Sequence, residues 1–262
     1  MRPASITFPR PRPRIGEPGE LLPTTRPVRG VVVAVPARDE ARVIARCLRS
    51  IDRAAARVEL PVSVVVAADR CRDATKEIAR SVALHHSDLC VVSGPWRGAS
   101  AARGAALRTA LGRTACLPPE IWLASTDADC VVPSTWLEAQ LAHVAAGADA
   151  VAGIVRLAMS APARLRLAFI ADYERADRAR PVHAANLGVR VDALERVGGW
   201  RSSTVVGEEH ALWRGLHLAG CAIVHDETMV VTTSHRTRSR VVGGFASRLA
   251  RLHADVAGEA SA

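Results

Sequence analysis

Apolar residues form short continuous runs along this chain, and each run is followed by a stretch in which they recur at helical spacing. The run Val-Val-Val-Ala-Val at 31–35 is almost entirely β-branched, which is typical of a strand buried on both faces of a parallel sheet. A helix is predicted next over about 40–56, with Asp39 or a neighbour as its N-cap. The alternation continues with strands predicted at 62–67, 89–92 and 121–125, and with helices predicted at 74–84, 100–111 and 134–146.

Repeated strand–helix units with short connections predict a single α/β domain with a mostly parallel, Rossmann-like sheet flanked by helices. Ligands of such sheets bind at the carboxyl ends of the strands. The second half is less regular, with a loop entering a strand at 183–189, strands at 151–157 and 223–233, and helices at 161–179, 192–197 and 208–219. Residues 1–28 are rich in Pro and Arg and lack apolar periodicity, so they are expected to form a disordered tail before a domain over 29–262.

Composition narrows the class of protein. The 262 residues carry a formal charge of +9, and Lys76 is the only lysine. Arginine suits bidentate recognition of phosphate, although a genome-wide bias towards Arg and Ala explains the excess equally well. The six cysteines include no Cys-x-x-Cys pair, which argues against a zinc site or a disulfide framework. With no signal peptide in evidence, this predicts a cytoplasmic protein.

Contact with membranes or nucleic acid receives little support from the composition. No apolar run reaches the roughly 18 residues needed to span a bilayer, so no transmembrane segment is expected. The arginines of the predicted helix at 161–179 leave peripheral contact with anionic lipid open, beside the alternative of a solvated face. Nucleic-acid binding is not expected, because stacking aromatic residues and a known binding module are lacking.

The most informative feature is a pair of acids, Asp127 and Asp129, directly after the apolar run at 121–124. Two carboxylates one residue apart, where a buried strand emerges, can hold a divalent cation such as Mg²⁺ or Mn²⁺. Such a cation can bridge the diphosphate of a nucleotide and neutralise it as it leaves. The spacing therefore predicts a metal-dependent site for a nucleotide at this end of the sheet.

Six motifs follow one another along the chain. They are Val-Pro-Ala-Arg-Asp-Glu at 35–40, Ala-Asp-Arg-Cys-Arg-Asp-Ala-Thr at 68–75, Gly-Ala-Ser-Ala-Ala-Arg-Gly at 98–104, Thr-Asp-Ala-Asp at 126–129, Asn-Leu-Gly-Val-Arg at 186–190 and Gly-Glu-Glu-His at 207–210. In this order they resemble the motifs of the family 2 glycosyltransferases, which have the GT-A fold. The resemblance covers about residues 29–250. It implies a hexosyltransferase with a nucleotide-sugar donor, UDP- or GDP-linked, and a metal-binding Asp-x-Asp (DXD) motif.

The resemblance also assigns the donor-binding residues. The nucleoside pocket would be lined by Pro36, Ala37, Arg38 and Glu40. Asp69 would read the base, but Ala-Asp-Arg-Cys at 68–71 departs from the family's usual two acids followed by Gly-Ser, so the base stays open. Asp73 is expected instead to cap the following helix.

Metal, phosphate and acceptor contacts are implied by the remaining motifs. Asp129 would be the principal metal ligand, with Asp127 and His235 beside it. Arg103, Arg236 and Arg240 would contact the donor phosphates, unless they belong to solvated surfaces. Glu209 would be the general base and Glu208 would bind an acceptor hydroxyl, although two acids also stabilise a helix N-terminus. Asn186 and Gly188 would shape the acceptor side.

Several alternatives stay open at this point. Inversion is expected, but some glucosyl-phosphoglycerate synthases, which retain the configuration, share this fold, the acidic motif and a late histidine ligand. A non-catalytic nucleotide-sugar-binding protein would keep the donor pocket. A nucleotidyltransferase is disfavoured because the loop at 36–40 contains no glycine. The acceptor is a small phosphorylated metabolite, a lipid-linked glycan, a polyprenyl phosphate or a peptide.

Overall fold

The computed structural model describes residues 27–96, 98–175, 182–200, 208–236 and 245–259. Its strands are β1 Gly30–Ala37, β2 Val62–Asp69, β3 Asp88–Gly94, β4 Ile121–Ser125, β5 Cys130–Val131, β6 Ala150–Leu157, β7 Leu187–Arg190 and β8 Ile223–Thr233. Its helices are α1 Ile44–Ala55, α2 Thr75–Ser81, α3 Ala99–Leu111, α4 Trp136–Ala145, α5 Ala163–Arg175, α6 Val191–Arg196, α7 Glu208–Leu218 and α8 Phe245–Glu259.

The described strands form one mixed, mostly parallel sheet in the order β3-β2-β1-β4-β7-β6-β8-β5. The central strand β1 lies between β2 and β4, parallel to both, and β3 is parallel to β2. β7 runs antiparallel to both of its neighbours, β4 and β6, while β8 is parallel to β6 and β5 is antiparallel to β8. The predicted α/β class and flanking helices are confirmed.

This topology gives the sheet one edge at which most strands end. Because β7 opposes both β4 and β6, those two strands point the same way, and β8 points with them. The carboxyl ends of β1, β2, β3, β4, β6 and β8 therefore share one edge, which we call the carboxyl edge. Each motif that follows one of these strands is brought to it.

Helices cover both faces of the sheet because the central strands are apolar on both. On one face Val31, Val33 and Val35 pack against α1 and α4, and on the other Val32 and Ala34 pack against α3 and α6. Fully buried runs of this kind bring most of the hydrophobic stabilisation of a parallel sheet. A separate small cluster joins the end of β6 to α5 and α8.

The start of α1 differs from the sequence-based expectation, whereas Asp73 lies at the start of α2 as expected. α1 begins at Ile44 rather than near 40, and Asp39 does not cap it, since the Asp39 carboxylate accepts a hydrogen bond from the Arg72 N–H (2.7 Å). Asp39 has a positive φ of 52°, a conformation in which aspartate is one of the better-tolerated residues. Asp73 accepts a bond from the Thr75 N–H (3.0 Å) at the start of α2 and another from the Ala41 N–H (3.1 Å), which ties the two loops together.

Some predictions fall outside the described residues, and some elements were not predicted. The tail up to residue 26 and the last part of the helix expected at 161–179 lie outside the described ranges. β5 and α8 were not anticipated. Within the part of the chain that the structure describes, no helix has the length and apolar character needed to cross a membrane.

Candidate functional site

The two acids of the Asp-x-Asp motif lie on the turn that joins β4 to β5. Thr126 continues the sheet by donating its N–H to the Ala34 carbonyl (3.3 Å), and the Asp127 carbonyl accepts the N–H of Cys130 (3.0 Å). β5 then pairs with the end of β8. The motif is thus fixed from both sides, at the carboxyl edge of the sheet.

Arg103 contacts this turn from the protein interior. Its side chain is 3% exposed, its Nε donates to the Ser125 Oγ (2.9 Å), and its Nη2 pairs with the Asp127 carboxylate. The guanidinium also lies 5.4 Å from the centroid of the Trp200 ring, within the range of a cation–π contact. Arg103 is therefore a buried partner of the acid motif and not a residue of a solvated face.

Asp129 meets the segment that follows β8. The Ser234 hydroxyl donates to its Oδ2 (2.5 Å), and Arg236 Nη2 lies 3.7 Å from the same oxygen. Arg236 Nη1 also donates to both carboxylate oxygens of Glu40 (3.0 and 2.9 Å). One arginine thereby joins the loop after β1 to the acid motif, so two residues expected at the donor site are brought together.

The loop after β2 carries the residue expected to read the base. Asp69 is buried at the end of β2, where its carboxylate accepts hydrogen bonds from the Gly98 N–H (3.0 Å) and from Arg70 Nε (3.1 Å). Pro36 and Ala37 end the neighbouring strand β1, in register with residues 67 and 68 of β2, and Arg38 follows them, partly exposed. The residues expected around the nucleoside therefore lie side by side on one edge.

Several charged side chains influence the carboxyl group of Asp127. Burial raises the pKa of its carboxyl group and the charge of Arg103 opposes that rise, while the charges of Asp129 and Glu209 raise the pKa further. Glu209 lies in the first turn of α7 and acts on Asp127 through its charge. Glu208 begins α7, but its side chain lies outside the described residues.

Within the described part of the chain, Asp127, Asp129 and Cys130 each offer a ligand atom, and these atoms lie within 4.8 Å of one another. The two carboxylates suit a hard divalent cation. Burial, with the charges of the two acids, raises the pKa of the Cys130 thiol well above its ordinary value, so the sulfur is a poor ligand for Mg²⁺ or Mn²⁺. His235 is not in this group, and Arg240 lies outside the described residues.

Asn186 and Gly188, expected on the acceptor side, belong to the interior. The Asn186 amide accepts a bond from Trp136 Nε1 (2.9 Å) and donates to the carbonyl groups of Ile154 and Met229 (both 2.8 Å). Its polar atoms are engaged in holding β6, β8 and α4 together. A Cβ on Gly188 would overlap the Trp122 ring, so glycine is required there by close approach.

Ser125, Ser234 and Trp200 contact the site but carry no strong signal in the sequence. Ser125 is simply the last residue of a buried strand, and Trp200 follows the Gly-Gly turn that ends α6. Ser234 follows the last residue of β8, and nothing local in the sequence marks it as a partner of Asp129.

Comparisons with known proteins agree with this arrangement. The sequence model of the family described as "Glycosyl transferase family 2" matches residues 32–196. No curated protein sequence matches the chain.

Solved structures with the same GT-A fold include TarS 1-349 of S. aureus in complex with UDP-GlcNAc (TM-score 0.60, 14% identity, 80% of this chain and 60% of that chain). A second is the mannosyltransferase PcManGT from Pyrobaculum calidifontis in complex with GDP-Man and Mn²⁺ (TM-score 0.60, 21% identity, 82% of this chain and 59% of that chain). A third is glucosyl-3-phosphoglycerate synthase from Mycobacterium tuberculosis with Mn²⁺, UDP-Glc and phosphoglyceric acid (TM-score 0.51, 17% identity, 88% and 80%). The chain spans about 60% of the length of the first two proteins.

Proposed function

The chain belongs to glycosyl transferase family 2, and we propose that it transfers a hexosyl group from a UDP- or GDP-sugar to an acceptor hydroxyl, with a divalent cation and with inversion. The observation that carries the proposal is the placement of Asp127 and Asp129 at the carboxyl edge, with Glu40 joined to Asp129 through Arg236. Glu209, whose charge acts on Asp127, is the acid assigned to the acceptor. A nucleotide-binding protein would use Asp127, Asp129 and Glu40, and a transferase would use Glu209 as well.

The donor nucleoside is assigned to the loops after β1 and β2. Glu40 can accept hydrogen bonds from ribose hydroxyls, and the buried Asp69 carboxylate at the end of β2 would contact the base. Pro36, Ala37 and Arg38 would form the wall of the pocket between them. Support comes from structures of the same fold, which hold UDP-GlcNAc, GDP-Man or UDP-Glc.

The cation is assigned to Asp129 and Asp127, with His235 as a third ligand if the segment 234–236 shifts. When bound, Mn²⁺ or Mg²⁺ would supply positive charge against the donor diphosphate. Arg236 and Arg240 would contact the same phosphates. In the structure Arg236 already faces both Glu40 and Asp129, so a small movement of its side chain would bring it to a diphosphate between them.

Glu209 is assigned as the base. Its carboxylate would take the proton of the acceptor hydroxyl as that oxygen attacks the anomeric carbon. The new C–O bond forms on the face opposite the bond to the diphosphate, which breaks as the nucleoside diphosphate leaves. Glu208 would hold a neighbouring acceptor hydroxyl. The cytoplasm is the proposed compartment, in keeping with six free cysteines.

Calorimetric titration of UDP- and GDP-sugars, with and without Mn²⁺, tests the donor site. Binding that requires Mn²⁺ should be lost in Asp129→Asn and kept in Asp88→Asn, a matched change of an exposed acid at the start of β3, on the opposite edge. A complete absence of nucleotide-sugar binding by the wild type would overturn the proposal.

Product analysis tests the chemistry. Glu209→Gln should bind donor normally and lower kcat by about a hundredfold or more. Retention of the donor's anomeric configuration would exclude Glu209 as the base of an inverting displacement. Binding without turnover in the presence of a broad acceptor panel, unchanged in Glu209→Gln, would favour the non-catalytic binding protein.

A further inference from the structure

One face of α5 and the loop before it expose large apolar side chains. Met159 is 79% exposed, Leu167 67% and Ile170 43%. Leu167 and Ile170 lie three residues apart, on the same side of the helix. The opposite side of α5 packs against α8, where Leu165 and Phe169 are buried. We call Met159, Leu167 and Ile170 the apolar patch.

The patch is built on a backbone that is held in place. Arg166 Nη1 donates to the carbonyl groups of Met159 (2.7 Å) and Ala161 (2.6 Å), which fixes the loop between β6 and α5. Arg248 of α8 pairs with Asp172 of α5 (2.6 Å) and fixes the helix pair. Met159 is therefore exposed on a loop whose backbone is held by hydrogen bonds.

Arginines outnumber acids in the elements that carry the patch. Residues 156–175 and 245–259, which include α5 and the helix α8 packed beneath it, contain six arginines against four acids. Arg156, Arg164 and Arg251 are exposed, and Asp172 is already paired with Arg248. An apolar stripe flanked by arginines is the pattern of a helix that lies in the interface of an anionic membrane, where arginine side chains reach the head groups.

The patch belongs to the carboxyl edge of the sheet. The Ala158 N–H, next to Met159, donates to the carbonyl of Thr233 (2.9 Å), the last residue of β8. Ser234 follows directly and bonds Asp129. The patch thus adjoins the segment that contacts the acid motif.

We infer that the apolar patch and the surrounding arginines bind the surface of an anionic lipid bilayer. Two other occupants are disfavoured by charge. The Pro/Arg-rich segment at 9–14 carries the same sign as the patch surroundings, and a symmetric contact between two copies would bring like charges together. Membrane binding does not depend on the transfer reaction. Its consequence, an acceptor presented at the lipid surface, rests on the proposed function.

Co-sedimentation of the full chain with vesicles tests the inference. Vesicles of phosphatidylcholine alone are compared with vesicles that contain about one third phosphatidylglycerol. The double variant Leu167→Ser/Ile170→Ser should weaken binding to anionic vesicles about tenfold or more, because two apolar side chains no longer enter the interface. Leu218→Ser, at an equally exposed leucine (75%) on α7, is the matched control and should bind as the wild type does.

A second pair of variants tests the charge. Arg164→Glu should weaken binding to anionic vesicles about tenfold, and Arg80→Glu, at an exposed arginine on α2, should change it little. Failure of the wild type to bind anionic vesicles, or equal loss in the Leu218 and Leu167/Ile170 variants, would overturn the inference. A dimer that dissociates in the Leu167/Ile170 variant, without vesicle binding, would assign the face to a second copy instead.

Donor titration separates this inference from the proposed function. The Leu167→Ser/Ile170→Ser variant should bind the nucleotide-sugar as tightly as the wild type does, since the patch holds no donor residue. Loss of vesicle binding with donor binding intact isolates the membrane contact. Vesicle binding by a wild type that binds no nucleotide-sugar would uphold the membrane contact while refuting the transferase.

Discussion

Replacing Arg103 by methionine is expected to lower the free energy of unfolding by about 3 kcal/mol at pH 7, as three contributions show. The hydrogen bond from the charged guanidinium to Ser125 contributes about 1.5 kcal/mol. The ion pair with Asp127 contributes about 1 kcal/mol, well below the value for a fully buried pair, because the Asp127 side chain is 39% exposed. The contact with the Trp200 ring adds about 0.5 kcal/mol.

The penalty should depend on pH, and its sign follows from Asp127. Burial raises the pKa of that carboxyl group and Arg103 opposes the rise, so the pKa rises further in Arg103→Met. A carboxyl whose folded pKa lies above its unfolded value destabilises the fold at higher pH, and the destabilisation fades as pH falls towards the unfolded value. The penalty measured at pH 7 should therefore shrink at pH 4.

Urea unfolding of the metal-free protein at pH 7 and pH 4 measures both effects. The exposed Arg108→Met on the same helix is the matched control and should change stability by less than about 0.5 kcal/mol. Arg103→Met/Asp127→Asn should be more stable than the sum of the single changes predicts, because the unpaired charge is gone. Strict additivity, or a penalty that is the same at both pH values, would refute this account of Arg103.

Three further predictions concern other parts of the molecule. Burial lowers the pKa of His183 to about 4 from its ordinary 6.5. The unfolded chain therefore binds a proton that the folded protein does not, and the free energy of unfolding in urea should fall by about 2 kcal/mol from pH 7 to pH 5. His183→Gln should flatten that pH dependence. Gly188→Ala should lower the free energy of unfolding by about 1–3 kcal/mol, because the added Cβ would overlap the Trp122 ring. Gly104→Ala on α3 is the control and should not lower it, because a Cβ there makes only ordinary van der Waals contacts. Equal effects of the two substitutions would contradict the packing argument. Arg236→Gln should weaken UDP or GDP binding about tenfold in calorimetry and leave the free nucleoside unaffected; equal weakening of both would exclude a phosphate contact.

The central strands could be predicted closely because burial on both faces leaves them few polar positions. The expected bounds 121–125 coincide with β4, which is buried throughout. The expected bounds 223–233 also coincide with β8, although that strand is only partly buried. Local signals were weaker elsewhere. β5 is a two-residue strand that exists only through pairing with β8, and no periodicity reveals it. α8 did carry a signal, since Phe245, Leu249 and Leu252 recur at helical spacing.

The residues of the candidate site also differ in how far the sequence alone could predict them. Residue type and spacing were enough to predict that Asp127 and Asp129 would emerge together at a strand end. Their partners depend on the tertiary fold. The bonds from Arg103 to Ser125, from Ser234 to Asp129 and from Arg236 to Glu40 join residues that are 22, 105 and 196 positions apart. No local pattern carries that information, so the sequence alone does not indicate that Arg103 pairs with Asp127.

The two acids of the motif differ in how firmly the protein holds them, and this bears on how a cation would enter. Asp127 is paired with a buried arginine that has other partners on both sides, so exchanging that arginine for a cation would leave a guanidinium charge uncompensated in the interior. Asp129 is bound by the neutral Ser234 hydroxyl, and its nearest arginine, Arg236, is 3.7 Å away and partly exposed. Under the proposed function, Asp129 would hold the cation and Arg236 would contact the donor diphosphate. The difference in partners favours Asp129 as the principal ligand, and Asp127, fixed by Arg103, would be a rigid second carboxylate.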